Sequence, residues 1–258
     1  MKLLFVGDVV GGCGRRALRD VLPGLIEAHA PDFVVVNGEN AAGGVGISEK
    51  TAREIFDTGA DAVTLGNHAY RHRDVYEYLD REERIVRPGN YPKGSPGRGY
   101  TVVTSGELAL GVVNLSGLVA MTAARSPFSE IDAVLSELRG RTTHVLLDFH
   151  TEATSEAVAM GWYVDGRVTA CVGTHTHVPT ADGRVLPEGT AYITDVGMTG
   201  PRGGVIGVKK EQALERFTAM TNVRYETSNE DPWLMGVLVE ADDAGRATRI
   251  EQLLVPAS

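Results

Sequence analysis

The chain has 258 residues, of which 43% are apolar, and its formal net charge is −9. This length and composition suit a folded α/β protein and argue against a disordered one. The acidic balance argues against stable nucleic-acid binding, because such binding uses Lys and Arg to neutralise phosphates.

The N-terminus and the two cysteines indicate the compartment. Only residues 3–6 form an apolar run before Gly7, which is too short for the core of a signal peptide. No apolar stretch approaches the roughly 20 residues of a membrane helix, so we expect a soluble chain without a membrane partner. Cys13 and Cys171 lack the spacing of a disulfide framework or a thiolate metal site. We therefore expect a cytoplasmic protein.

Short apolar runs alternate with helical patterns along the chain. The runs predict buried strands at residues 3–6, 33–37, 62–65, 145–149, 170–174 and 191–194. Helical spacing predicts helices at residues 15–30, 48–58, 74–82, 127–138 and 153–164, the fourth with Ser126 as its N-cap before Pro127. Two antiparallel hairpins are predicted, residues 100–104 with 108–113 and residues 235–240 with 250–255.

These elements predict an α/β fold with two mixed β-sheets, packed face to face and flanked by helices, in a single domain over residues 1–258. No internal repeat or low-complexity tract divides the chain. The stretches at residues 87–99 and 197–207 are rich in Gly and Pro and are predicted to be loops at one rim. Gly11, Gly12 and Gly14 are predicted to form a flexible loop.

Potential metal ligands follow five of the predicted strands directly. In chain order, the polar residues at these strand ends are Asp8, Glu39, Asn40, Asn67, His68, His150, His175 and His177. A glycine precedes the polar residues after each of the first three strands, and we expect it to turn the chain sharply. His175 and His177 alternate with threonines, so a strand would place both imidazoles on one face. Because the carboxyl ends of parallel strands converge on one rim, we expect these side chains to meet.

Each of these residues also has an ordinary structural explanation. Asp8 could cap a helix, Glu39 could lie in a polar turn, and His150 could be a hydrogen-bonded histidine at a sheet edge. Their joint placement favours a metal site, because carboxylates, amides and imidazoles all fall at strand ends. The histidines without such placement are predicted to be structural or solvated, and they are His29, His72 and His144.

The donor set predicts two divalent or mixed-valence metal ions. Imidazole, carboxylate and amide donors without a thiolate suit Fe or Mn, with Zn as an alternative. Six or seven donors exceed the three protein ligands of one catalytic zinc, so two ions sharing a bridging carboxylate fit better. Against the charges of Asp8 and Glu39, two such ions leave net positive charge for a phosphate ester. The expected mechanism is in-line attack by a metal-bridging hydroxide.

The motifs resemble those of the calcineurin-like metallophosphoesterases, whose pattern is D-x-H, G-D-x-x-D, G-N-H-[DE], a lone His and G-H-x-H. The corresponding segments here are G-D-V-V at 7–10, G-E-N at 38–40, G-N-H-A at 66–69, His150, and G-T-H-T-H at 173–177. Val10 stands where that pattern has a histidine, and Glu39 replaces its usual Asp. With these departures, and with residues 5–11, 37–44, 148–156 and 194–201, the chain is similar to the narrower YmdB-like metallophosphoesterases over nearly its whole length.

The resemblance implies a metallophosphoesterase-like α/β sandwich that hydrolyses phosphodiesters, with 2′,3′-cyclic nucleotides as a substrate type, and that forms a homo-oligomer. It implies that Glu39 bridges the metals and that Asn40 replaces the ligand missing at position 10. Asp8 and His177 would bind one metal. The ligands implied for the other metal are Asn67, His150 and His175. His68 would be the catalytic partner that donates a hydrogen bond or proton to the leaving oxygen, the alternative being a supporting or further ligand.

Two other functions fit parts of the sequence. Gly12, Gly14 and Ala17 satisfy a relaxed G-x-G-x-x-A pattern, which is typical of a dinucleotide-binding oxidoreductase when an acidic residue follows the next strand. Glu39 lies 25 residues beyond Gly14, against the ~20 expected, and this alternative leaves the clustered histidines unexplained. The second alternative is a non-catalytic protein that binds a phosphorylated ligand and reports it to a partner. The presence of His68 argues against it.

Overall fold

Two β-sheets form the centre of the molecule and helices cover them, in a computed structural model that describes residues 1–257. The strands are β1 (Lys2–Val6), β2 (Asp8–Val9), β3 (Phe33–Asn37), β4 (Ala62–Thr64), β5 (Ile85–Val86), β6 (Tyr100–Ser105), β7 (Leu108–Ser116), β8 (His144–His150), β9 (Ala170–Thr174), β10 (Arg184–Val185), β11 (Ala191–Ile193), β12 (Met198–Pro201), β13 (Pro232–Ala241) and β14 (Ala247–Pro256). The helices are α1 (Gly11–His29), α2 (Glu49–Phe56), α3 (Tyr76–Arg81), α4 (Pro127–Leu138), α5 (Thr154–Tyr163) and α6 (Lys210–Ala219), and a 3-10 turn covers Arg73–Val75.

Both sheets are mixed, as predicted. The first has the strand order β2-β12-β13-β1-β3-β4-β5, with β14 paired to β13. In it, β1, β3, β4 and β5 are parallel neighbours, and β13 lies antiparallel to β1. The second has the order β10-β11-β9-β8-β7-β6, in which β7, β8, β9 and β11 are parallel. Each sheet therefore has one edge at which the carboxyl ends of its parallel strands lie side by side.

Three apolar layers hold the sheets and helices together. Between the sheets, Phe5 and Val35 of the first sheet pack in one cluster with Leu146 of the second. The outer face of the first sheet packs against α1, α2 and α3, and that of the second against α4 and α5. Because both faces of the central strands are buried, their sequences are continuous apolar runs. The layer shared by the sheets supports a single domain over residues 1–258, which stays a prediction.

The predicted strands, hairpins and helices are present, with shifts of a few residues at their ends. The hairpins pair β6 with β7 and β13 with β14, both antiparallel. Ser48 caps α2, because its hydroxyl accepts from the backbone N–H of Thr51 while the Thr51 hydroxyl accepts from the backbone N–H of Ser48. Ser126 precedes Pro127 at the start of α4, but its hydroxyl makes no cap hydrogen bond. Within residues 1–257, none of the helices has the length and apolar character needed to cross a bilayer.

The glycine-rich segment after β2 is helical, so the prediction of a flexible loop there is wrong. Gly11, Gly12 and Gly14 form the first turn of α1, which begins before the apolar pattern that predicts it. A Cβ atom at Gly14 would lie 2.4 Å from the carbonyl oxygen of Thr199, so this glycine lets the helix pack against β12. The backbone N–H of Gly11 donates to the carbonyl of Asn40 at 2.9 Å. Close packing of the helix on β12 therefore explains Gly14.

The sequence pattern does not predict β2, β5, β10, β12 and α6. The first three have two residues each, too few for an apolar run to stand out. β12 lies inside the stretch 197–207 that is predicted to be a loop, because its Gly200 and Pro201 are uncommon in strands. α6 buries only Ala213, so it lacks the repeating apolar face that predicts a helix.

Candidate metal centre and active site

The eight predicted site residues come together where strands of both sheets end. Asp8 follows β1, Glu39 and Asn40 follow β3, Asn67 and His68 follow β4, His150 ends β8, and His175 and His177 follow β9. The side chains of Asp8, Glu39 and His150 are completely buried. Three strands of the first sheet and two of the second therefore build one cluster at their carboxyl ends.

One group of donors surrounds the Nε2 atom of His150. That atom lies 2.8 Å from Oδ1 of Asn67, 3.1 Å from Nδ1 of His175 and 3.3 Å from Oε2 of Glu39. The ligand atoms of Glu39, His150 and His175 all lie within 4.8 Å of one another. This spacing is compatible with a metal ion shared by the three side chains, because such ions bind N and O donors at about 2 Å.

A second group of donors lies at the other oxygen of the Glu39 carboxylate. Nδ2 of Asn40 donates to Oε1 of Glu39 at 2.8 Å and lies 3.2 Å from Nε2 of His177. The same Nε2 atom is 4.0 Å from Oδ1 of Asp8. Glu39 thus contacts both groups, one through each carboxylate oxygen.

His68 lies beside the second group. Its Nδ1 atom donates to Oδ1 of Asn40 at 2.9 Å and lies 3.3 Å from Oε1 of Glu39. Because Nδ1 is engaged, the opposite edge of the ring, which carries Nε2, is left for a ligand. The amide oxygen of Asn40 is turned towards His68, so Asn40 would bind a metal ion only after its amide group turns over.

His175 and His177 come together through a turn, so the expectation that they share one face of a strand is wrong. β9 ends at Thr174, and the two histidines have φ angles of 109° and 66°, in the left-handed region. Between them, Thr176 donates to Oδ2 of Asp195 from its backbone N–H at 2.9 Å and from its hydroxyl at 2.8 Å. Left-handed backbone at such residues costs of order 1–3 kcal/mol each, and strain of this kind is concentrated at functional sites.

Hydrogen bonds at their outer edges orient two of the imidazoles. Nδ1 of His150 donates to Oγ1 of Thr174 at 2.9 Å, and that hydroxyl donates to Oδ1 of Asp148 at 2.7 Å. Nδ1 of His177 donates to the backbone carbonyl of Ile206 at 2.9 Å. Both bonds place a proton on Nδ1 and direct Nε2 at the cluster.

His175 is oriented the other way round. Its Nε2 atom lies 3.1 Å from Oε2 of the exposed Glu152, and its Nδ1 atom faces His150. A proton on Nε2 is stabilised by that carboxylate, which leaves the lone pair of Nδ1 for a ligand. Each of the three histidines therefore directs its other ring nitrogen at the cluster.

Burial of charged groups shifts several pKa values in the cluster. Burial raises the pKa of Asp8 to about 7, and His150 partly opposes that shift. Burial and the neighbouring Asp8 also raise the pKa of Asp195 to about 7. For Glu39, burial is again the largest influence, but the charges and hydrogen bonds of His150 and His68 together outweigh it and hold the pKa well below its usual value. For His150, burial lowers the pKa, and Glu39 and the other carboxylates more than reverse this and raise it to about 9.

The cluster fits metal ions. Oδ1 of Asp8 is buried and has no hydrogen-bond partner within residues 1–257, which is costly for a carboxylate oxygen unless a cation binds it. One ring nitrogen of each of the three histidines faces the same space. Nitrogen and oxygen donors without a thiolate suit Fe, Mn or Zn.

The cluster opens into a cavity of about 400 Å³. Its polar side is formed by Glu39, Asn40, His68, Glu152, His175, Thr176 and His177. The residues that line it, all in the described part of the chain, include no Lys and no Arg. A phosphate in this cavity would face carboxylates without basic side chains, so bound cations would have to balance its charge.

The glycines before the polar residues serve close packing. A Cβ atom at Gly66 would lie 2.2 Å from Oε2 of Glu39 and 2.3 Å from Nε2 of His150. Neither Gly66 nor the corresponding Gly7 and Gly38 has a positive φ. Turns do begin at Gly38 and Gly66, as expected, because the backbone N–H groups of Ala41 and Ala69 donate to their carbonyls at 3.1 Å and 3.2 Å. The close approach of neighbouring groups explains why residue 66 is a glycine.

Asp148, Asp195 and Glu152 contact the predicted ligands or their neighbours, although the sequence analysis assigns them no role. Asp148 stands inside the apolar run of β8, where a buried carboxylate is unusual enough to mark it. Asp195 follows β11 closely, and a polar residue at a strand end is the signal that predicts the metal ligands. The histidines predicted to be structural have partners outside the cluster, among them Val45 for His72 and Thr143 for His144.

Comparison with known proteins assigns the family. Two sheets packed face to face, with donors at their shared carboxyl-terminal edge, define a fold of the metallophosphoesterase class. A sequence model of the family described as "YmdB-like protein" matches residues 4–253. A Bacillus subtilis (strain 168) protein named 2′,3′-cyclic-nucleotide 2′-phosphodiesterase is 44% identical over 99% of this chain and 97% of its own. The chain belongs to the YmdB-like family.

Solved structures agree with this assignment. A hypothetical protein from Thermus thermophilus superposes with a TM-score of 0.94 and 38% identity over 100% of both chains. A novel phosphatase from Mycoplasma pneumoniae has a TM-score of 0.92 and 33% identity over 100% of this chain and 94% of its own. The predicted fold is confirmed, and the chain is a phosphoric ester hydrolase as predicted. The alternative of a dinucleotide-binding oxidoreductase does not hold, because residues 4–253 match the YmdB-like family and the relatives are a phosphodiesterase and a phosphatase.

Gly66→Ala tests the close approach on which the cluster depends. The added Cβ would overlap Oε2 of Glu39 and Nε2 of His150, so we expect metal binding at least about tenfold weaker, measured as metal retained against a chelator. Gly24→Ala is the matched control, since a Cβ at Gly24 meets nothing within 4 Å. Wild-type metal retention by Gly66→Ala would show that the donors bind without this approach.

Proposed function

We propose that this chain is a phosphodiesterase that uses two metal ions and acts on 2′,3′-cyclic nucleotides or related small phosphodiesters. The observation that carries the proposal is a buried cluster of carboxylate, amide and imidazole donors beside a cavity that no Lys or Arg lines. The name of the Bacillus subtilis relative supports the substrate class. Fe and Mn are the proposed metals, and Zn suits the same donors.

In this proposal Glu39 would hold both metal ions. Its oxygens lie towards different groups of donors, Oε2 near His150 and Oε1 near Asn40. The ligands proposed for one ion are Asp8 and His177, with Asn40 as a further ligand, and those for the other ion are Asn67, His150 and His175. The Asp8 oxygen without a hydrogen-bond partner within residues 1–257 and the orientation of the His177 ring support this division.

Water is the nucleophile of the proposed reaction, and the phosphorus–oxygen bond to the leaving group breaks. When bound, the metal ions supply positive charge for the phosphate and lower the pKa of water. His68 gives a proton to the leaving oxygen. Its Nδ1–H is held by Asn40 at 2.9 Å, so a protonated ring directs Nε2–H into the cavity.

We also propose that the chain works in the cytoplasm, without stable nucleic-acid binding, as a homo-oligomer. Cys13 and Cys171 are free and buried, which suits a reducing compartment. The net charge of −9 disfavours binding to a polyanion. The oligomer rests on the family resemblance alone.

Parallel assays test the reaction. With Mn present, we expect hydrolysis of a 2′,3′-cyclic nucleotide at a higher kcat/KM than that of an acyclic diester or a phosphate monoester. Removal of metal by a chelator should abolish the activity, and added Mn should restore it. Hydrolysis of none of the three esters by the metal-loaded protein would overturn the proposal.

Variants of His68 and Glu39 separate proton transfer from metal binding. His68→Ala is expected to keep both metal ions and to lose about 10²–10⁴-fold in kcat, the usual contribution of a positioned acid. Glu39→Gln is expected to lose metal as well as activity, because it removes a charge from between the two groups. Metal analysis and kcat on the same samples check both. A His68→Ala enzyme with the wild-type rate would remove His68 from the mechanism.

Thr174→Val tests the hydrogen-bonded support of His150. The substitution keeps the shape of the side chain but removes the hydroxyl between His150 and Asp148, so we expect about 10–100-fold weaker metal binding. Thr101→Val is the control, because β6 is an edge strand of the second sheet and Thr101 does not line the cavity. Equal metal affinity of the two variants in a competition titration would contradict the orienting role.

A further inference from the structure

The cavity beside the donor cluster has an apolar wall to which the proposed chemistry gives no role. The residues of this wall are Val205, Ile206, Val208, Ala213, Phe217 and Tyr225. Phe217 lies on α6 and Tyr225 follows that helix. They are 76% and 46% exposed, although both are large aromatic residues.

Phe217 has no packing role that explains its place. Only Ala213 of α6 is buried, so the ring of Phe217 does not contribute to the core. An exposed ring gains from the hydrophobic effect only when something covers it. Aromatic side chains that line a concave site next to a few convergent polar groups are typical of ligand pockets. The wall therefore has the character of a binding surface for a flat apolar group.

We infer that Phe217 and Tyr225 bind the nucleobase of the substrate by stacking, while the donor cluster holds its phosphate. This inference rests on the proposed function and names the part of the substrate that the wall selects. A nucleotide is charged at its phosphate and flat and largely apolar at its base. The cavity has the same division, with Glu39 and the histidines on one side and the aromatic wall on the other. Its volume of about 400 Å³ lies in the range of small-ligand sites.

In this inference the apolar wall contacts the flat face of a base and offers few hydrogen-bonding groups to the edge of the base. Among the wall residues only Tyr225 carries a side-chain hydrogen-bonding group. Thr176, on the polar side, already donates its hydroxyl to Asp195. Stacking tolerates every base, because each has a π-face. We therefore expect adenine and guanine to bind alike, and both to bind more tightly than pyrimidines, whose single ring covers less of the wall.

Equilibrium binding measures the contribution of the base directly. The probes are adenosine 3′-monophosphate and methyl ribofuranoside 3-phosphate, which has a methoxy group in place of the base, each titrated into Mn-loaded protein. We expect the wild type to bind the nucleotide about tenfold more tightly than the base-less probe. Phe217→Ala should lose most of that difference while binding the base-less probe unchanged. Phe217→Trp should keep it, and Tyr225→Ala should reduce it.

Leu214→Ala is the matched control. Leu214 lies on the same helix and is 58% exposed, but it does not line the cavity. This variant should bind both probes as the wild type does and should sediment as the wild type does. Wild-type preference for the nucleotide in Phe217→Ala would overturn the inference. If Leu214→Ala lost the preference for the nucleotide equally and also changed the sedimentation coefficient, the inference would likewise be overturned. That result would show that the exposed face of α6 forms a contact between copies of the chain.

Hydrolysis of the cyclic nucleotide, followed separately, distinguishes this inference from the proposed function. If the protein bound the nucleotide more tightly than the base-less probe because of Phe217 but hydrolysed no phosphodiester, stacking on the apolar wall would be supported and the proposed reaction would be overturned. If the wild type and Phe217→Ala hydrolysed cyclic nucleotides with the same KM, the proposed reaction would be supported and stacking on the apolar wall would be overturned.

Discussion

The complete burial of the Glu39 carboxylate is the constraint on which the rest of the site depends. A carboxylate that is removed from water must be stabilised by hydrogen-bond donors or by cations. Oε1 accepts from Asn40, while Oε2 accepts from the backbone N–H of His68 at 3.2 Å and lies against the ring of His150. These contacts require β3, β4 and β8, from two different sheets, to end at one point. The geometry of the site therefore depends on how the two sheets pack against each other.

The proposed ligands on the two sides of Glu39 are oriented by different parts of the fold. His150 is held through Thr174 to Asp148, which also accepts from Asn37 at 2.9 Å, so this side is anchored in buried strands. His177 is held through the carbonyl of Ile206, in the segment between β12 and α6. The same segment contributes Ile206 to the apolar wall of the cavity. Groups that bind in the cavity therefore contact the segment that orients one of the proposed ligands.

The residues that follow the strands can be predicted from local sequence, whereas the turns and contacts between them cannot. Apolar runs identify β3 and β8 without reference to the rest of the chain, so the residues that follow them could be predicted. The turn that joins His175 to His177 could not, because its left-handed backbone depends on the hydrogen bonds of Thr176 to Asp195. Phe217 was missed for a different reason. A helix that buries one alanine has no periodic signal, although its exposed face lines the cavity.

The sequence by itself determined which polar side chains follow the strands, their order along the chain and the strands that precede them, because these are local properties of short segments. Only the tertiary structure decided which atom of each donor faces its neighbours. His150 and Asn67 are separated by 83 positions, yet they lie 2.8 Å apart. The protonated nitrogen of His177 and the direction of the Asn40 amide likewise depend on partners brought by other elements. Such contacts arise when two sheets pack together, and no pattern within one segment records them.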